Sequence, residues 1–211
     1  MSEHVEDPWA ITVDEENPWA TPEDVKTGSF EPTPFFDSLS GRLVAFVPRF
    51  FEKEAKKRAD RVEPGGATTE ERYTVDMVVL DGGELRYWYN KKVEGQEERV
   101  PTEHVIPASD LPKLYTSVWR TEGNVVGQLK KIDGSARPIL LGRVVRGPQK
   151  ADRDKGVTPA KIQKAYAEWE KRGKTGPKPK FSWIVDVDIT DADRALATKW
   201  YVAAKADGFT V

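Results

Sequence analysis

Basic side chains are concentrated in the second half of the chain, where they could contact phosphates. Between Arg137 and Lys180 there are thirteen Lys or Arg residues against four Asp or Glu, a balance of +9. The Gly- and Pro-containing run 173–180 (GKTGPKPK) predicts a phosphate-gripping arm, although it lacks the glycine spacing of a P-loop. A solubilising insertion is the alternative explanation. The candidate phosphate contacts of this region are Arg143, Arg146, Lys174, Lys178 and Lys180.

An aromatic and basic run at 86–92 (RYWYNKK) could stack nucleic-acid bases. Side chains alternate along a strand, so Tyr87 and Tyr89 should share one face and Arg86 and Trp88 the other. If one face lines a core, the other presents a ring beside cations, which is the combination that binds single strands without sequence preference. The alternative is that all the rings pack inside. The candidate binding residues here are Arg86, Trp88, Tyr89, Lys91 and Lys92, with Trp183 on a later predicted strand.

Catalytic constellations are scarce. There is no cysteine, and the two histidines are His4 and His104, so thiolate metal sites, cysteine nucleophiles and Ser-His-Asp triads are excluded or nearly so. Asp186 and Asp188, with Asp76 as a partner, could form a nuclease-type magnesium site. Capping of a following helix explains the neighbouring Thr190 and Asp193 better than catalysis does. We therefore expect a protein that is not an enzyme and has no metal or cofactor.

The elements that must position these residues are read from periodicity and turn signals. An Asp-Gly-Gly turn at 81–83 predicts that the second and third strands form a hairpin. A long, partly helical loop is expected at 52–71; its charged part, 52–61, could be a second wall of a binding groove or a solvated helix with internal ion pairs. Strands are predicted at 41–51, 72–80, 84–90, 138–147 and 181–188, and helices at 109–132 (broken near Gly123 and Gly127), 159–172 and 191–206. Five strands with a helix between the third and fourth predict a mainly β, α+β domain: a five-stranded OB-fold-like Greek-key barrel with inserted helices and a C-terminal helix.

The first forty residues have a different character from the rest. They hold ten acids and one base, a balance of −9, whereas the chain as a whole carries −2. This acidic, Pro-containing composition predicts a flexible tail over 1–38, followed by a nucleic-acid-binding domain over 39–211 with a basic insertion at about 148–180. Trp9 and Trp19 lie in a repeated Pro-Trp-Ala motif suited to partner recognition or to competition with bases. No stretch approaches the roughly 20 apolar residues of a membrane span, so we expect a cytoplasmic protein with no membrane partner.

The segments 41–46 (GRLVAF) and 141–147 (LGRVVRG), together with Tyr87-Trp88-Tyr89, resemble phage-type single-stranded DNA-binding proteins, especially those of actinobacterial phages. The resemblance covers roughly residues 39–190. It implies an OB-fold groove that holds single-stranded DNA without base specificity, in the host cytoplasm, and an acidic tail that recruits replication and recombination partners. Such tails are typically C-terminal in that class, whereas this acidic segment is N-terminal.

The leading hypothesis is therefore a single-stranded DNA-binding protein for DNA replication, recombination and repair, which stacks bases on aromatic rings and neutralises phosphates with Lys and Arg. Two alternatives stay open: a metal-dependent nuclease using Asp186 and Asp188, and a protein-interaction or virion structural module with no nucleic-acid role. The sequence leaves open whether the chain forms a homo-oligomer and whether DNA or RNA is preferred.

Overall fold

The computed structural model describes residues 32–55, 69–92, 99–120 and 123–210. Trp9, Trp19 and the rest of the acidic segment up to residue 31 lie outside the described residues, as does most of the loop expected at 52–71. The described chain is mixed α+β. Its elements are β1 (Leu43–Ala55), β2 (Thr69–Val79), β3 (Leu85–Lys92), β4 (Arg99–Ile106), a 3-10 turn (Ala108–Asp110), β5 (Lys113–Arg120), α1 (Gly123–Ile132), β6 (Leu140–Gly147), α2 (Lys150–Arg153), α3 (Pro159–Lys171), β7 (Ser182–Asp186) and α4 (Asp191–Ala206).

Five strands form one antiparallel sheet in the order β5-β2-β1-β6-β7, and β3 pairs with β4 in a separate two-stranded ribbon. Among the described residues no ladder joins β5 to β7, so the sheet is open and no closed barrel is formed. No described helix is long and apolar enough to cross a membrane.

The free edge of β7 is occupied by a side chain of α1. Gln128 donates from Nε2 to the Val185 carbonyl over 2.6 Å, and its Oε1 accepts from the Val185 N–H over 3.0 Å. The amide thus makes the two hydrogen bonds that a neighbouring strand would make, and it satisfies backbone groups that are costly to leave unpaired. Helix α1 therefore takes a place beside β7 that a strand pairing would otherwise fill.

The sheet is covered on both faces. One face packs against α1, the inner side of the ribbon and the segment before β1, with Phe46, Met77, Tyr87 and Leu129 among its buried side chains. The other face packs against α4, which buries Ala197 against β1 and β6. Phe36 is buried and its ring stacks on Trp183, so residues 32–38, which the sequence assigned to the tail, pack with the folded body.

The prediction of a helix through 109–132 is correct for α1 and wrong for 113–120, which is strand β5. The pairing with β2 explains the error. Val75 lies opposite Val118 and Met77 opposite Tyr115, so β5 contains one extra residue, a β-bulge. The bulge lets residues three apart face the same core, which imitates helical spacing.

The predicted hairpin between the second and third strands is also wrong. Strand β2 pairs with β1 and β5, while β3 pairs with β4, a strand that the sequence did not reveal. The Asp81-Gly82-Gly83 turn redirects the chain out of the sheet, and the Arg42 guanidinium holds it by donating to the carbonyls of Asp81 and Gly83.

The last two helices are confirmed. Thr158 caps α3, with Pro159 at its first position, and Thr190 forms a capping box with Asp193 at the start of α4. These signals are local, so tertiary contacts did not override them.

Candidate nucleic-acid interface

The basic insertion, residues 148–180, connects β6 to β7 and consists of α2, α3 and the loop after α3. It carries ten Lys or Arg and four Asp or Glu, a balance of +6. All ten cations are exposed, and within the part of the chain that the structure describes none forms an ion pair. They are Lys150, Arg153, Lys155, Lys161, Lys164, Lys171, Arg172, Lys174, Lys178 and Lys180. Cations held this way remain available to phosphates.

Helix α3 aligns part of this charge. Its buried face holds Tyr166 and Trp169, and the helical repeat puts Lys161, Lys164 and Lys171 on the opposite side, where one carboxylate, that of Glu168, lies between Lys164 and Lys171. We call these three residues the lysine stripe. At about 1.5 Å per residue the stripe is about 15 Å long, enough to follow a few nucleotides of an extended strand.

The loop after α3, which sequence analysis treats as a flexible arm, is attached to the helix. Trp169 Nε1 donates to the Gly176 carbonyl over 3.3 Å, and the Lys174 N–H donates to the Trp169 carbonyl over 3.0 Å. Lys178 Nζ lies 5.8 Å from the centre of the Tyr166 ring and 5.7 Å from that of Phe181. These contacts hold the arm beside the helix, with Lys174, Lys178 and Lys180 still exposed.

Arg146 and Trp183 lie side by side beneath the insertion, at paired positions of β6 and β7. The Arg146 guanidinium sits 3.9 Å from the Tyr166 ring centre and 5.1 Å from that of Trp183. Its Nε is buried without a hydrogen-bond partner among the described residues. Trp183 is only 6% exposed, so its ring offers little surface to a base. Both residues support α3 from below. The exposed cations of the insertion are therefore better placed than these two residues to contact a ligand.

Arg143, by contrast, is committed to the fold. It donates to the Gly41 carbonyl over 2.7 Å, lies 2.9 Å from Asp81 Oδ2 and pairs with Asp193 through two nitrogens. The hydrogen bond from Arg143 lowers the pKa of Asp193, and the same bond raises the pKa of Arg143. Arg143 thus joins β6, the turn after β2 and α4.

The two glycine-containing segments behind the family resemblance pack together, because Val44 of β1 pairs with Gly142 of β6. A Cβ at Gly142 would overlap the Asp186 carbonyl, and one at Gly147 would press on Ile184. These glycines therefore permit the close approach of β6 and β7, and the segments have structural reasons for their composition.

The ribbon divides its side chains as the alternation predicts. Tyr87 is buried and donates to the Pro32 carbonyl over 2.5 Å, whereas Trp88 is 61% exposed on the outer face. Arg86 shares that outer face and is paired with Glu84 and with Glu103, the latter at 3.4 Å. Tyr89 is half-buried, with its ring edge against His104. Lys91 and Lys92 belong to β3, but their side chains are outside the described part.

Phe35 is an exposed ring that sequence analysis placed in the tail. It is 64% exposed, and its carbonyl accepts hydrogen bonds from Ser38 and Leu39, which fix the turn. The next residue, Phe36, stacks on Trp183 beneath the insertion. The position of Phe36 against Trp183 follows only from the fold, because residues 35–41 form a turn in which strand alternation does not apply.

The carboxylates of the nuclease alternative are not brought together. Asp76 is buried and paired with Arg49 at 2.7 Å, and Asp186 Oδ1 accepts from the N–H of Asp188. Strands β2 and β7 are three positions apart in the sheet, about 14 Å at normal strand spacing. In the described ranges no cluster of three or more His, Asp or Glu could hold a metal ion.

No protein-family model, no curated protein and no solved structure matches this chain.

Proposed function

We propose that this protein binds single-stranded DNA without sequence preference, as a non-enzymatic, phage-type factor for replication, recombination or repair, and that the insertion is its main contact. The observation that carries the proposal is the set of ten exposed cations on the insertion, none of them paired within the described residues. Cations that neutralise a phosphate chain supply most of the free energy of nonspecific binding, because they release condensed counterions.

The arrangement of the sheet supports a more specific fold assignment. Numbered by their order in the chain, the strands of the large sheet lie in the order 3-2-1-4-5, with α1 between the third and fourth. An OB-fold has this order of neighbours, and closing it would add a contact between the third and fifth strands. We regard the domain as an OB-fold left open at that seam, where Gln128 covers β7.

This assignment gives the insertion a functional position. OB-folds hold oligonucleotides with their first inter-strand loop and with the loop between the fourth and fifth strands. The insertion is the latter loop, enlarged by α2 and α3. Phe35 is exposed and precedes Phe36, which stacks on Trp183 beneath the insertion, and we assign its ring to the stacking of a base.

The test is the affinity for labelled oligo-dT, measured by fluorescence anisotropy at several salt concentrations. Reversing the lysine stripe with Lys161→Glu, Lys164→Glu and Lys171→Glu should weaken binding strongly at low salt. It should also make the slope of log affinity against log salt shallower by about 2, since each single-strand phosphate contact contributes about 0.7.

The matched control is a triple reversal of exposed lysines outside the insertion: Lys131→Glu, Lys199→Glu and Lys205→Glu. It changes the net charge by the same amount, so it measures the effect of overall charge alone. Equal losses in the two triple variants would refute the insertion as the binding site. No binding of oligo-dT by the unaltered protein at low salt would refute the proposed function. Duplex DNA and oligo-rU, run in parallel, test the preference for single strands and for DNA.

A further inference from the structure

The ribbon, together with the segment that joins its two strands, differs in net charge from the insertion. Residues 84–106 hold five acids and four bases, a balance of −1, against +6 for the insertion. Around Trp88 the described ionised side chains are Glu84, Arg86 and Glu103, and Arg86 is paired with both carboxylates. Arg86 is therefore not a free cation; the register puts Lys92 and Arg99 farther along the same face, and their side chains lie outside the described part of the chain.

The composition of this face is that of a protein contact. Trp88 stands 61% exposed, and Pro101 and Val105 flank its cross-strand neighbour Glu103 on β4. Trp and Arg are the residues most enriched at the energetic centre of protein interfaces, and charged groups are typical of the rim.

The charges also favour a particular partner. Arg86 lies opposite Val105 and Trp88 opposite Glu103, so Arg86 and Glu103 occupy a diagonal of the ribbon. A two-fold axis in the plane of the outer face can exchange Arg86 with Glu103. Neighbouring strands lie about 4.8 Å apart, and residues i and i+2 of one strand lie about 6.6 Å apart. With these spacings, the axis that exchanges Arg86 with Glu103 also brings Trp88 over Trp88 of the second copy, with a lateral offset of about 3 Å. The two ribbons then cross at about 70°, close to the orthogonal packing known for sheets.

We propose that the outer face of the ribbon is a self-association surface, on which a second copy of this chain stacks Trp88 on Trp88 and pairs Arg86 with Glu103 in both directions. Such an interface is isologous, as two-fold dimers require. It is smaller than the roughly 800 Å² per partner of a standard interface, so the dimer should be weak, with a dissociation constant in the micromolar range.

The experiment measures the molar mass of the full chain by light scattering or sedimentation, without nucleic acid. The unaltered protein should pass from monomer to dimer between about 1 and 100 µM, and Trp88→Ala should stay monomeric. A protein that is monomeric throughout this range would overturn the proposal. A Trp88→Ala variant that still dimerises would also overturn it, whether or not the variant loses affinity for oligo-dT.

Charge reversal separates contacts between copies from contacts within one chain. Arg86→Glu and Glu103→Arg each place like charges across the axis, so each alone should be monomeric. Mixing the two variants should restore the dimer, because opposite charges then meet at both ends while the pairing inside each chain remains broken. Lys131→Glu reverses an exposed charge outside the ribbon, so this control variant should dimerise normally. Failure of the mixture to associate, with both variants folded by circular dichroism, would refute the two-fold arrangement.

Discussion

The contact between Gln128 and the edge of β7 predicts a measurable stability effect. In the Gln128→Leu variant the Val185 N–H and C=O lose the partners that lie 3.0 Å and 2.6 Å away. Val185 is 1% exposed, so water cannot readily replace them. Each unpaired buried group costs about 1–3 kcal/mol, so the two groups together lower the free energy of unfolding by about 2–6 kcal/mol. For a folded part of this size the melting temperature should fall by about 4–24 °C.

The assay is urea unfolding followed by tryptophan fluorescence and circular dichroism. Gln163→Leu is the matched control, because Gln163 is exposed on α3. Gln128→Glu is informative in addition. Its carboxylate can still accept from the Val185 N–H but repels the carbonyl, so ionisation is disfavoured in the folded state and the side-chain pKa is raised. The variant should therefore be least stable at neutral pH and recover toward pH 4, where the protonated acid can donate. If Gln128→Leu is no more destabilising than Gln163→Leu, α1 does not replace a strand at this edge.

Three further predictions follow from single features. The pKa of Asp193 is lowered in the folded protein, mainly by the hydrogen bond from Arg143. The ionised carboxylate therefore stabilises the fold above about pH 4, and this stabilisation is lost as the pH falls through the lowered pKa. Asp193→Asn should make the free energy of unfolding, measured in urea, depend less on pH in the acid range. Phe35→Ala should weaken oligo-dT binding roughly 5- to 150-fold, the equivalent of one stacked base, whereas Phe50→Ala, also an exposed ring, should not; equal effects would remove Phe35 from the interface. Deleting residues 1–31, which keeps Phe36 in the core, should tighten DNA binding at low salt if the acidic segment competes for the insertion; unchanged affinity would leave it a partner-recruiting role.

The sequence predicted those parts of the fold that have local causes. Caps at Thr158 and Thr190 identified two helices, a run of β-branched and aromatic residues identified β1, and alternation identified the two faces of β3. It failed where tertiary pairing decides. The bulge between Tyr115 and Val118 gave a strand the spacing of a helix, and the polar residues of β4 carried no strand signal of their own.

The same distinction applies to the candidate site. The excess of basic residues delimited the insertion from the sequence alone, since a charge count needs no fold. It could not separate free cations from structural ones. Arg143 is tied to Asp81, Asp193 and a backbone carbonyl, and Arg146 is held among aromatic rings, although both counted equally with Lys164 in the sequence.

If the two proposals are combined, the difference in net charge between the ribbon and the insertion has a functional explanation. A surface that joins two copies is better kept clear of DNA, which would compete with the second copy. Residues 84–106 are nearly neutral, whereas the cations of the insertion are unpaired among the described residues. A dimer formed through the ribbons carries two insertions on one particle. Once one insertion holds a strand, the other meets the same strand at a high effective concentration, so a weak dimer would strengthen binding to long DNA without any additional contact. The ribbon would then contribute to DNA affinity through assembly, and Trp88→Ala would lower the affinity for long oligonucleotides while leaving that for short ones unchanged.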